Sequence, residues 1–277
     1  MGKKMRLRRL FFLVFFVFSA HILAEEADSV SVTILYDNYL YQENLQTDWG
    51  FSCLIEGLEK TILFDTGTHG DILAANAEKL GVDFGKVDAV VISHNHRDHF
   101  GGLETFLAIN NQVDVFLLTD FTEALSPVVQ DAGAKVRSIS APTEICKGVW
   151  LTGEMGDRIR EQSLVLQTGE GLVVITGCAH PGVIRIIEKA KEILPEEVYA
   201  VLGGFHLLQN TREQVAEKIG MFRQLGVRHA GPSHCTGESA IEQFHAEYGE
   251  QLIRLGAGRR LKFAVPAEKP SSRSKGS

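Results

Sequence analysis

The run V-V-I-S-H-N-H-R-D-H-F-G-G, Val90 to Gly102, passes from an apolar stretch into His94, His96, Asp98 and His99, three imidazoles and a carboxylate within six residues. Imidazole nitrogen and carboxylate oxygen bind zinc at about 2.0–2.2 Å, and a rigid strand end can aim alternate residues at one point. A solvated polar turn would account for one histidine here, but not for so many ligand types in so short a motif. Three later runs place further donors among glycines: T-G-C-A-H-P-G with Cys178 and His180, G-G-F-H ending at His206, and G-P-S-H-C-T-G with His234. Cys178 reads either as a ligand or as a buried core thiol. His206 reads as a metal ligand, a group that polarises substrate, a general acid, or an ordinary loop histidine. His69, His229 and His245 lack such surroundings and read as loop, packing or surface residues.

The segments that must position these donors follow from hydropathy periodicity. Ser29 to Leu35 alternates and is rich in Val, Ile and Thr, a strand pattern; Phe51 to Ile55 and Thr61 to Phe64 form a hairpin about Gly57. Val87 to Ile92 is a continuous apolar strand feeding the histidine run. Val113 to Leu118, Ser163 to Gln167, Leu172 to Thr176 and Tyr199 to Leu202 are further strands, with short β segments near Val136, Cys146 and Val149. Helical spacing covers Asp71 to Leu80, Gly102 to Ala108, Phe121 to Asp131, Val183 to Ile193, Thr211 to Leu225 and Ala240 to Tyr248. Hairpins opening each half, followed by β/α alternation, predict two mixed sheets packed face to face with helices outside, an α/β architecture. The motif residues then fall at the C-terminal ends of strands, where α/β proteins build their sites.

Composition bounds what the chain can do. Its 277 residues, 44% hydrophobic and 23% charged, suffice for one domain with a large core. Lys3, Lys4, Arg6, Arg8 and Arg9 precede an apolar run from Leu10 to Leu23, with Ala24 ahead of Glu25 and Glu26, the shape of a secretory signal. The expected organisation is a signal peptide over 1–24, one domain over 25–266 and a disordered tail over 267–277, with a periplasmic or secreted location and no membrane association after cleavage; an uncleaved membrane anchor is the alternative reading of the N-terminal segment. Removing the signal leaves 23 Lys+Arg against 35 Asp+Glu, a net charge of −12. Such a chain lacks the basic footprint of a nucleic-acid binder, so the expected partner is a small molecule. Of the four cysteines, Cys178 and Cys235 sit beside histidines at strand ends. A Cys53–Cys146 bridge is conceivable; a buried free thiol is the blander account of Cys53.

The His94 to His99 run resembles the H-x-H-x-D-H signature of the metallo-β-lactamase superfamily, and L-F-D-T-G at Leu63 to Gly67 resembles that superfamily's first motif. Together with Asp37-Asn38, W-G-F-S at Trp49 to Ser52 and the glycine-rich runs above, the pattern is similar to the branch named for dihydropterin-ribofuranosylaminobenzene-phosphate synthase. The resemblance spans roughly Val30 to Val265. It implies a four-layer αββα sandwich with two divalent metal ions, usually zinc and sometimes iron or manganese. His94, His96 and His180 would bind the first ion, and Asp98, His99 and His234 the second, while Cys178 stands where most of the superfamily has a bridging Asp. The separate histidine of the third motif is absent around Arg160 to Ser163, which is why His180 takes the first ion. Asp65 would fix the tautomer of a ligand imidazole.

Two cations roughly 3.5–4 Å apart can share and acidify a water and clamp a substrate oxygen. The resemblance therefore implies a metallohydrolase using metal-bound hydroxide on a small phosphoester or related ester. Asp98 and His206 are its catalytic candidates, Arg97 could meet an anionic group or equally be a surface residue, and Tyr39 and Tyr41 could wall a lid. A pterin-type synthase like the branch's namesake, an iron oxidoreductase and a non-catalytic metal-binding protein are the rivals. An exported chain would not meet a cytoplasmic pterin precursor, which weighs against the first.

Overall fold

The computed structural model describes residues 29–266, so the expected signal segment and tail lie outside the described residues. In chain order the strands are β1 (Ser29–Tyr36), β2 (Ser52–Glu56), β3 (Ile62–Phe64), β4 (Ala89–Val91), β5 (Asp114–Leu118), β6 (Lys135–Ile139), β7 (Thr143–Cys146), β8 (Val149–Leu151), β9 (Leu164–Thr168), β10 (Gly171–Thr176), β11 (Val198–Gly204), β12 (His229–Ser233) and β13 (Arg260–Ala264). The helices are α1 (Gly70–Lys79), α2 (Arg97–Phe100), α3 (Leu103–Ile109), α4 (Thr119–Asp131), α5 (Val183–Ile193), α6 (Arg212–Gln224) and α7 (Glu238–Tyr248). One sheet runs β13-β1-β2-β3-β4-β5-β6 and the other β12-β11-β10-β9-β8-β7.

Side-chain alternation builds the layers. Leu164, Leu166, Val173, Ile175, Ala200 and Leu202 point from the second sheet into one core shared with the first sheet. Val165, Leu172, Val174, Val198 and Val201 pack instead with Ile187 of α5, Phe222 of α6 and Phe244 of α7. Because neighbouring residues on a strand face opposite ways, one strand serves both cores. Leu73 of α1, Phe106 of α3 and Val129 of α4 cover the first sheet from its other side. The predicted αββα sandwich is the observed one.

Pairing direction sets where the site lies. β3, β4, β5 and β6 run parallel, as do β10, β11 and β12, so each set ends along one edge. Loops after β3, β4, β10, β11 and β12 carry the candidate donors. The two edges approach closely at Gly177, where a Cβ would lie 2.2 Å from Ser93 Oγ. No larger residue fits between the sheets there.

Three local features differ from expectation. β4 is shorter than Val87 to Ile92, because Phe84–Lys86 forms a 3₁₀ turn, with Asp83 Oδ1 accepting from Gly85 N at 2.9 Å. The histidine run contains a helical turn, α2, in which His99 N donates to His96 O at 2.9 Å. β13, with Leu261 and Phe263 buried, completes the edge beside β1. Its R-L-K-F-A alternation is a strand signal that the adjoining polar tail obscured.

Candidate metal centre

Asp65 follows β3 in the left-handed region, with φ 57°, and is fully buried. Its Oδ1 accepts from Ser93 N at 2.7 Å; its Oδ2 accepts from Ser93 Oγ at 2.7 Å and from His99 Nδ1 at 2.6 Å. Ser93 Oγ, its own proton committed to Asp65, accepts from His94 Nδ1 at 2.9 Å. One carboxylate thus orients His94 and His99 through their Nδ1 atoms and turns both Nε2 atoms toward the other donors. His234 is oriented from elsewhere: its Nδ1 donates to Asn38 Oδ1 at 2.9 Å. This is how proteins prepare imidazole for metal binding.

The donors gather in two groups, within each of which the ligand atoms lie inside 4.8 Å: His94, His96 and His180, and Asp98, His99, Cys178 and His234. In the first, His94 Nε2 lies 3.0 Å from His96 Nδ1, and the His180 ring stands 4.8 Å from both of the other rings. In the second, His99 Nε2 lies 3.2 Å from His234 Nε2 and 3.3 Å from Cys178 Sγ, while Asp98 Oδ2 is 3.2 Å from His234 Nε2. With both Nδ1 protons taken, the facing lone pairs of His99 and His234 repel unless a proton or a cation lies between them. His180 Nε2 is buried and has no hydrogen-bond partner. Buried acceptors are rarely left so, and the donor set fits divalent cations.

Electrostatics agrees with that fit. Burial, reinforced by the charge of His99 and His180, holds His94 well below its ordinary pKa, and burial with His206 takes His180 down to about 3. Both are neutral ligands near pH 7. Burial also pulls His99 down, but the charge and hydrogen bond of Asp65 outweigh it and push its pKa up to about 9. Without a cation, a proton is what this group holds. Burial opposes the charge on Asp98, yet His234 and His99 keep its carboxyl well below the usual carboxylate range.

Sequence reading missed two supports. Glu161, buried at the position where a third-motif histidine was sought, accepts from Cys178 N and Ala179 N through Oε1 at 2.9 and 2.8 Å, and from His180 N through Oε2 at 2.8 Å. It clasps the loop that carries Cys178 and His180, in which Ala179 has φ 62°. A lone acid beside an apolar strand was the available signal. Trp49 donates from Nε1 to Asp98 Oδ2 at 2.8 Å and packs its ring on His234 at 4.9 Å. Of the five non-glycine residues with positive φ among the described residues, Asp65, Ala179, His206 and His234 belong to this site. Strained backbone concentrates where donors must be aimed.

Arg97 and the two tyrosines do not meet the site. Arg97 projects into a separate cavity with Phe100, Leu125 and Val128, because α2 turns it away from Asp98 and His99. Tyr39 and Tyr41 line a cavity of about 550 Å³ beside α7 that includes none of the candidate ligands, so they do not wall the site. His206 sits with φ 53° and its ring 4.3 Å from that of His180. His69 pairs with Asp48 on the surface at 3.3 Å, and His229 packs on Tyr199. All four cysteines are free and buried; Cys53 and Cys146 form no bridge.

A family model described as the metallo-beta-lactamase superfamily matches residues 50–182. A solved metal-dependent hydrolase of the beta-lactamase superfamily is 32% identical in sequence and superposes with a TM-score of 0.72, over 84% of this chain and 98% of that one. The chain belongs to the metallo-β-lactamase superfamily. Within it, the 7,8-dihydropterin-6-methyl-4-(beta-D-ribofuranosyl)-aminobenzene-5'-phosphate synthase of Methanocaldococcus jannaschii is 28% identical over 288 residues, 86% of this chain and 98% of that protein, the branch the motifs indicated. Human tRNase Z, short form, superposes with a TM-score of 0.59 at 13% identity, a likeness of fold alone.

Proposed function

We propose that the protein is a hydrolase using two divalent cations, most suitably zinc, to cleave a small anionic ester, with a phosphoester the leading class. The convergence of two ligand groups around unpaired nitrogens, above all the orphaned His180 Nε2, carries the reading. When bound, such a pair supplies Lewis acidity and an acidified water. His94, His96 and His180 would hold one ion; Asp98, His99, His234 and Cys178 would hold the other. Asp98, steadied by the Trp49 indole, would also orient the attacking water, and His206, exposed beside His180, would deliver a proton to the leaving oxygen.

An anionic substrate is supported by a cavity of about 590 Å³ that opens beside His180 and is lined by Arg158 and Arg185. Asp157 lines it too, but neither arginine has an ion-pair partner among the described residues. Guanidinium is suited to planar, bidentate recognition of phosphate or carboxylate. The net charge of −12 expected of the exported form supports a small molecule over nucleic acid. Export itself remains our proposal from the N-terminal segment, tested by fractionating cells that express the full chain. Among the described residues no helix is long and apolar enough to cross a membrane.

The deciding experiment is a panel of nitrophenyl phosphomonoesters, phosphodiesters, carboxylic esters and lactams, offered to zinc-loaded and chelator-stripped protein. Metal-dependent turnover of a phosphoester is expected. Equal turnover by the stripped protein, or none by the loaded one, would sink the reading. The curated relative favours a second reading, a synthase; turnover only when two organic substrates are supplied together would favour it instead.

A further inference from the structure

Cys235 has no part in either ligand group, yet it stands against one of their members. Cys178, His206 and Cys235 follow three adjacent parallel strands, β10, β11 and β12, and their ligand atoms lie within 4.8 Å of one another. Both sulfurs are buried, the two residues being 4% and 5% exposed, and they form no disulfide. Cys235 Sγ lies 3.4 Å from Cys178 O, and a Cβ at Gly204 would meet it at 2.7 Å, so the thiol is packed inward against the β11 backbone. His206 closes the group from the solvent side, and its left-handed φ of 53° is part of how its ring comes there. The loops are tied together by Thr236 Oγ1, which accepts from Phe205 N at 3.0 Å and donates to Ser233 O at 2.6 Å.

We propose that Cys178, His206 and Cys235 form a third cation site, selective for a thiophilic ion such as Zn²⁺, Cd²⁺ or Cu⁺. Two sulfurs and an imidazole are a softer set than the histidine and carboxylate groups beside them. Three protein ligands leave a fourth position open on the side of the exposed imidazole, the pattern of a reactive zinc site rather than a closed structural one. Binding displaces the thiol protons, the Cys178 and Cys235 sulfurs becoming thiolates bonded to the ion. Cys178 is shared with the Asp98, His99 and His234 group, so the third ion would adjoin the other two. The buried sulfur of Cys235 has no other assignment in the site. The site stands whatever the hydrolysed substrate is; with the third ion bound, His206 is a ligand and the leaving oxygen takes its proton from water instead.

Metal counting tests it without any turnover assay. The full chain, loaded with zinc and desalted, should carry three zinc ions per chain by plasma mass spectrometry; Cys235→Ser should carry two, and His96→Ala should lose one from the first group instead. Cobalt-loaded wild type should show thiolate-to-cobalt absorption that Cys235→Ser weakens without abolishing. On the wild type alone, zinc should slow alkylation of Cys235 by iodoacetamide at least about tenfold, a readout that needs no variant to fold. Two zinc ions in both wild type and Cys235→Ser, equal alkylation with and without zinc, or an intact mass showing a Cys178–Cys235 disulfide in the purified protein would each overturn the site.

Discussion

The two ligand groups are built from similar imidazoles but supported unequally. Around Asp98, His99 and His234 every donor has a partner behind it: Asp65 on His99, Asn38 on His234 and the Trp49 indole on Asp98. Around His94, His96 and His180 only His94 has one, through Ser93, and His180 Nε2 has no partner at all. A ligand already held in its binding tautomer loses less freedom when an ion arrives. The second group should therefore hold its ion more tightly, and the first should fill last and empty first.

That contrast can be broken most severely through the loop both groups share. Glu161→Ala would leave the buried amides of Cys178, Ala179 and His180 unpaired, at a cost of about 1–3 kcal/mol each. A fall in melting temperature of at least roughly 6 °C is expected, and an unchanged melting curve would remove Glu161 from its clasping role. His96→Ala should cost the first group its ion while the second keeps its own, and Asp98→Ala the reverse, with activity lost in both. Metal analysis reads this directly, and full metal content in either variant contradicts the assignment. Asp65→Asn should weaken metal binding by about 10–100-fold, with both groups affected because Asp65 reaches His94 through Ser93. A chelator competition titration that moved only one ion would show the relay to be inactive.

A gentler probe uses pH on the stripped protein. His99, its pKa pushed from 6.5 to about 9 by Asp65 against the pull of burial, contributes stability that is complete below pH 6.5 and lost as pH rises through 9. Glu161, pushed by burial from 4.5 to about 7, acts in the same direction, its share being lost between those values. The melting temperature of the metal-free protein should fall as pH goes from 7 to 9, above the interval in which His94 and His180, held neutral in the fold, act the other way, and zinc should abolish that slope. A melting temperature that rose over this interval would reverse the sign. The smallest change is expected of Trp49→Phe, which deletes one half-exposed hydrogen bond to Asp98, worth about 1 kcal/mol. Zinc affinity of the second group should drop by roughly fivefold, and titration calorimetry would detect it.

The sequence by itself determined the donor-rich segment His94 to His99, since its ligands are contiguous, and the alternating strands that give two sheets with helices outside. It also marked Cys178, His180, His206 and His234 as donors following apolar strands. Tertiary structure alone decided how they divide. Asp65 and Ser93 act together because parallel β3 and β4 end side by side, and Arg97 leaves the site because α2 turns it outward. Glu161 matters because its partners are backbone amides, which every residue possesses and no residue type advertises. Cys235 joins Cys178 for the same reason: pairing of β10, β11 and β12 in register sets which strand ends are neighbours, and that register depends on packing across the whole sandwich rather than on any local run of residues.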